Sequence, residues 1–118
     1  MLDALAAEGV RCTNAITQNP ICTPSRMCWL SGQYCHNHGS YGLSGPKPPT
    51  GLPTVLGHFR GHGYRTAGFV SGFTLNGEIT DLDRGFHHYN DGGKRTRDRR
   101  GPKTVEHAER WLEANVHH

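Results

Sequence analysis

No apolar run in this 118-residue chain is long enough to cross a membrane, and no signal-peptide pattern is present. Its first residue already lies in a helix-like pattern, so the expectation is a chain truncated at both ends. On that reading residues 1–118 form one partial domain, and the missing leader carries no information on location. Hydrophobic residues make up only 34% of the sequence, against 16 glycines and 7 prolines. Much of the length must therefore be loop around a modest core. No C-x-x-C knuckle joins the four cysteines, Cys12, Cys22, Cys28 and Cys35. Cys22 and Cys28 would sit on different sides of one helix, and Cys12 and Cys28 read as small buried hydrophobes. Cys35-His36-Asn37-His38 is the better metal candidate, but a zinc site there needs ligands from elsewhere. No repeat or heptad is evident. The net charge of +3 is modest, with Lys94, Arg95, Arg97, Arg99, Arg100 and Lys103 clustered around Asp98. Aromatic residues do not interleave with this basic run, as a single-strand stacking surface requires. It reads as a solvated linker, with no specific nucleic acid expected as a partner.

What is present is concentrated in Cys22-Thr23-Pro24-Ser25-Arg26, which runs on through Met27-Cys28-Trp29-Leu30-Ser31 to Gly32. Thr23 suits an N-cap and Pro24 the first helical position, so a helix is expected over 24–32. Such a start puts the Cys22 sulfur and the Arg26 guanidinium together at the helix's positive end. Outward-pointing backbone N–H groups and the helix dipole favour anions there. Arg26 adds a planar, permanently charged fork suited to a tetrahedral oxyanion. A nucleophile beside an anion cradle outlines an ester-hydrolysing site.

The same string, with Trp29-Leu30-Ser31-Gly32 behind it, resembles the signature of the type I sulfatases. Leu2 to Arg11, Thr13-Asn14-Ala15, Tyr34 to Gly39, and Leu52-Pro53-Thr54 through Gly63-Tyr64-Arg65-Thr66-Ala67 resemble the flanking segments of that family. The likeness is weaker at Asp83-Arg84-Gly85-Phe86. It implies an alkaline-phosphatase-like α/β fold with a largely parallel sheet flanked by helices. It also implies a sulfuric ester hydrolase whose nucleophile is formylglycine, made from Cys22 by a formylglycine-generating enzyme. By the same resemblance, Thr23, Pro24 and Ser25 belong with Cys22 and Arg26 to the modification motif. Arg26 steadies the nucleophile, and Cys22, once modified, is one ligand of a calcium or magnesium ion. The substrate is then a sulfate ester.

The residue pattern gives a helix from Leu2 ended by Gly9, a strand from Val10 to Ala15, and an irregular Gln33–Gly51 stretch. A helix capped by Thr54 follows, then a strand from Tyr64 to Ser71, parallel to the earlier one. The loop beyond holds Asp81, Asp83, His87, His88 and Asp91. A last helix over 103–115 has Val105, Ala108, Leu112 and Trp111 on one side. Two departures from the family stand out: Ser71 and Phe73 occupy the places of a lysine and a histidine that contact sulfate. The family's paired aspartates would precede Met1, and its later aspartate, histidine and lysine would follow His118. The alternatives are a phosphonate monoester or phosphodiester hydrolase with the same nucleophile, and a non-catalytic basic or zinc-binding module.

Overall fold

The computed structural model describes residues 2–43, 45–92 and 99–116. The elements in order are α1 (Leu2–Glu8), α2 (Cys22–Ser31), α3 (Cys35–His38), α4 (Val55–Gly61) and β1 (Ala67–Phe69). A 3-10 turn (Phe73–Leu75), α5 (Gly77–Thr80), β2 (His88–Asn90) and α6 (Gly101–Asn115) complete the chain. β1 and β2 pair in parallel, with Ala67 opposite His88, Gly68 opposite Tyr89 and Phe69 opposite Asn90.

The core is small. Met27 and Leu30 from α2 meet Leu52 and Leu82, and Leu56, Leu75, Phe86 and Tyr89 pack around them. Gly68 allows this packing, because a Cβ there would lie 2.8 Å from Tyr89 Cδ2 and 3.1 Å from Phe86 Cε1. Tyr89 cannot easily retreat, since its hydroxyl donates to the Leu75 carbonyl at 2.8 Å.

Polar ties position the loops around that core. Thr54 caps α4 as its sequence suggests, its hydroxyl accepting from Gly57 N–H at 3.1 Å. Gly85, at φ +87°, passes so close to this cap that a Cβ would stand 2.5 Å from Thr54 Oγ1. Arg84 binds the Asp81 carboxylate and gathers the carbonyls of Pro48, Pro49, Thr50 and Leu52, which pins the proline-rich loop. Asn76 caps α5, and Asp91 holds it there, accepting from Asn76 Nδ2 and from Gly77 N–H at 3.0 Å each. His87 closes on Thr66, donating its N–H to the Thr66 carbonyl at 2.9 Å. Asp81, Asp91 and His87 of this segment thus serve structural ties.

Several expectations need correction. Residues 10–15 form no strand, and Val10 and Cys12 are exposed. A strand exists only where a neighbour takes its N–H and C=O groups, and among the described residues β1 pairs with β2 instead. The supposed loop after Asp83 therefore contains a strand, and the Gln33–Gly51 stretch contains α3. α6 begins at Gly101, and its inner side is Thr104, His107, Ala108, Trp111 and Asn115, while Val105 and Leu112 face out. The aromatic contacts explain that roll: Trp111 lies 6.3 Å from the Phe69 ring and stacks on His88 at 6.5 Å. Lys94, Arg95, Arg97 and Asp98 lie outside the described residues. Arg99 is no solvated linker residue, since it binds Asn90, the Val70 carbonyl and Thr104.

Gly68→Ala is expected to cost about 1–3 kcal/mol of stability through overpacking against Tyr89 and Phe86. Chemical denaturation checks this, and a neutral result would show that the aromatic pair can move aside. Arg84→Ala is expected to cost about 1.5–3 kcal/mol, the range for hydrogen bonds to a charged group. Limited proteolysis should then cut within residues 46–52 faster than in the parent chain.

Candidate active site

The site is built on α2, and the helix has one buried and one exposed stripe, about 100° apart. Thr23, Met27 and Leu30 recur at i, i+4, i+7 and are buried, with Pro24 beside them. Cys22, Arg26 and Trp29 share the same spacing and are exposed. The helix therefore carries the thiol and the guanidinium one turn apart on its open side. Arg26 Nη1 donates to the Cys22 carbonyl at 3.2 Å, which folds the long side chain back toward the helix start.

The helix begins two residues earlier than its sequence suggests. Ile21 is the N-cap residue and Cys22 the first helical residue, so Thr23 is not the cap. The Thr23 hydroxyl donates instead to the Thr74 carbonyl at 3.1 Å. This bond is long-range, and it outcompetes a local cap because it ties α2 to the segment after β1. No side chain caps α2; ahead of it, Asn19 Oδ1 accepts from Ile21 N–H at 2.8 Å, a turn that leads into the helix. Thr17 bonds both Asn19 O at 2.9 Å and Ser25 Oγ at 2.8 Å, closing the loop onto the first turn. The first intrahelical bond is Ser25 N–H to Ile21 O, 3.0 Å. The Cys22 and Thr23 amides ahead of it have no intrahelical partner, and Pro24 has no N–H.

An open cleft of about 670 Å³ lies beside this turn, lined among others by Thr17, Ser25, Arg26, Trp29 and Gln33. Arg26 also borders an apolar hollow with Leu75, Phe86 and Tyr89. Burial, with Asp91 and Asp83 adding to it, pushes the Tyr89 phenol up to about 12, so it stays a neutral donor. The segment of Ser71 and Phe73 runs alongside α2 through the Thr23–Thr74 bond. Ser71 spends its carbonyl on Arg99 N–H at 3.2 Å, and Phe73 is exposed. Neither brings a positive charge to the helix start.

His38 and Cys28 form a second cluster that local spacing alone could not reveal. Cys28 Sγ lies 3.2 Å from His38 Nε2 and 3.5 Å from Cys35 Sγ. Among the described residues this is the one group of three or more His, Cys, Asp or Glu side chains close enough to share an ion. Cys28, one of the two cysteines expected to be buried, is indeed buried, and Cys12 is not. Of the Cys35-His36-Asn37-His38 string, only Cys35 and His38 join the cluster. Cys28 lies in the last turn of α2, and the chain reverses at Gly32 to bring α3 beside it.

The sulfatase family model matches residues 1–109. The chain is 33% identical over 76 residues to the uncharacterized sulfatase YidJ of Escherichia coli K12, covering 64% of this chain and 15% of that protein. It is 39% identical over 77 residues to the steryl-sulfatase of Mus musculus, covering 56% and 12% respectively. The ulvan-active sulfatase of Formosa agariphila is 39% identical over 66 residues, covering 56% and 13%. The chain thus spans between 12% and 15% of the length of these relatives. No solved structure matches. No helix among the described residues is long and apolar enough to cross a membrane. With the family model running almost the whole length of the chain, and helices set about a parallel strand pair, the chain belongs to the sulfatase family, of alkaline-phosphatase-like α/β fold.

Proposed function

We propose that residues 1–118 are part of a sulfuric ester hydrolase whose nucleophile is formylglycine made from Cys22. One observation carries the reading: Cys22 is exposed at the first position of α2, with the Arg26 guanidinium folded back onto its carbonyl at 3.2 Å. In this reading the Cys22 thiol is oxidised to an aldehyde by a formylglycine-generating enzyme that recognises Cys22, Thr23, Pro24, Ser25 and Arg26. The hydrated aldehyde supplies the attacking hydroxyl. Arg26 holds negative charge beside it, together with the outward amides of the first helical turn. The loop from Thr17 to Ile21, closed on Ser25 and Asn19, keeps that turn from fraying. The substrate class is a sulfate ester, whose anionic group this positive helix end suits.

The family's calcium or magnesium ion is a separate matter. Such ions take several hard oxygen ligands, usually carboxylates. Among the described residues no three carboxylates converge, and the one ligand-rich cluster is Cys28, Cys35 and His38, which is soft. The residues present do not fit the ion, beyond the single ligand that modified Cys22 would offer. No role in this chain's chemistry is assigned to it. The neutral residues Ser71 and Phe73 leave the charge on a bound sulfate less offset than the family pattern would.

Coexpression with a formylglycine-generating enzyme should give an aldehyde at Cys22 that reacts with a hydrazide probe, while Cys12, Cys28 and Cys35 do not react. Pro24→Ala or Arg26→Ala should reduce labelling several-fold. Equal labelling at all four positions, or none at Cys22, would sink the reading. A second outcome concerns turnover. The 118-residue chain alone, even when modified, should hydrolyse neither an aryl sulfate nor an aryl phosphonate above background. Turnover of the aryl sulfate that is lost in Cys22→Ala would show that the site is complete. Turnover of the phosphonate in preference would move the substrate class.

A further inference from the structure

The Cys28, Cys35 and His38 cluster is used by nothing in the proposed hydrolysis, and its two sulfurs lie 3.5 Å apart. Two chemistries suit two thiols and an imidazole: a soft metal, or a disulfide. The spacings of 3.5 Å between the sulfurs and 3.2 Å from Cys28 Sγ to His38 Nε2 suit either, so the ring tautomer decides between them. Ser40 N–H donates to His38 Nδ1 at 3.2 Å, and burial pushes the His38 pKa down, so the ring is neutral. A neutral ring that accepts at Nδ1 carries its proton on Nε2. Nε2–H therefore donates to Cys28 Sγ, and the nitrogen facing the sulfurs has no lone pair for a metal.

We propose that Cys28 and Cys35 are a dithiol site that closes to an intramolecular disulfide. The proposal does not depend on the reading of Cys22. Exposure sets the order of events. Cys35 is partly exposed and Cys28 is buried, so a small-molecule disulfide such as oxidised glutathione meets Cys35 first. The Cys35 thiolate, its proton lost to solvent, attacks one glutathione sulfur. A mixed disulfide forms, and the first glutathione thiolate leaves and takes up a proton. Cys28 then loses its proton and attacks the Cys35 sulfur. The bond between Cys35 and glutathione breaks, and the second glutathione leaves as the thiol. Two protein thiols are oxidised to one disulfide while one glutathione disulfide is reduced to two thiols.

The surroundings assist each sulfur. Asn19 Nδ2 donates to Cys35 Sγ at 3.6 Å, and His38 Nε2–H faces Cys28 Sγ. These donors offset negative charge that develops during exchange. Burial and the neighbouring Cys35 push the Cys28 thiol up to about 11, which shields it from direct oxidation and makes its attack on the mixed disulfide the slow step. Asn19 is the same residue whose Oδ1 holds Ile21, next to Cys22.

The reduced chain is equilibrated with excess oxidised glutathione, quenched with acid, alkylated with N-ethylmaleimide and cut with trypsin. Cys28 and Cys35 fall in the peptide spanning 27–60, and Cys12 and Cys22 in the peptide spanning 12–26. The expected result is a 27–60 peptide about two mass units lighter and without adducts, while the 12–26 peptide carries adducts on both cysteines. In Cys28→Ala, Cys35 should accumulate as the glutathione mixed disulfide, and in Cys35→Ala, Cys28 should stay a free thiol. Alkylation of both Cys28 and Cys35 after this treatment overturns the proposal, as does a disulfide found only in the 12–26 peptide. One equivalent of zinc retained against a chelating resin, and lost in His38→Ala, overturns it in favour of a metal site.

Discussion

Burial of one stripe of α2 is the constraint on which the rest of the molecule depends. Met27 is fully buried and Leu30 nearly so, against Leu52 and Leu82. Successive helical residues turn by about 100°, so fixing this stripe fixes where Cys22 and Arg26 face. A shift in which residue meets the core would carry the thiol inward and strand the guanidinium. The polar contacts agree with the apolar ones. Thr23, on the buried stripe, reaches the Thr74 carbonyl, and Pro24 packs beside it without an N–H to satisfy. Local chemistry and long-range packing therefore hold the helix start in one orientation.

A core this small cannot position every loop by burial, and two arginines take over part of that task. Arg84 spreads its donors over Asp81 and four carbonyls of the 48–52 segment. Arg99 does the same between the ends of β1 and β2 and the first turn of α6. A guanidinium has five N–H donors in a fixed plane and no acceptor, so one side chain can satisfy several backbone carbonyls at once. Both arginines lie in a chain of net positive charge, and reading them as available for an anionic partner would have been mistaken. Their donors are already committed.

The parts of the structure legible in the sequence are those governed by neighbours within one turn. The helix carrying Cys22, the Thr54 cap on α4, the glycine that ends α2 and the strand near Ala67 all follow from local pattern. The parts that were not legible depend on contacts distant in the chain. β2 is three residues, His88-Tyr89-Asn90, too short for alternation to register, and it exists because Gly68 lets Tyr89 lie across β1. Thr23 reads as an N-cap until Thr74, 51 positions on, offers its carbonyl. The inner side of α6 turns on Trp111 finding Phe69 and His88, which no count of apolar spacing could weigh against Val105 and Leu112. For the candidate site, the thiol and the arginine at one helix end were readable, but not that Cys22 lies within the helix on the face of Arg26. The Cys28–Cys35–His38 cluster was not, because it forms across Gly32, where the chain reverses in a left-handed turn.

The four cysteines show how one fold separates chemically identical groups. Cys12 and Cys22 are both exposed, yet only Cys22 sits at a helix start, followed by Thr23-Pro24-Ser25-Arg26. Cys28 and Cys35 have each other and an N–H donor apiece, so their reactivity belongs to a pair. The two systems meet at Asn19, which gives its oxygen to the residue before Cys22 and its nitrogen to Cys35. Neither end of that amide can move without disturbing the other, because both hydrogen bonds hang on one planar group. The residue before the exposed thiol and the pair of sulfurs are thus held by one side chain, although the sulfurs never touch Cys22.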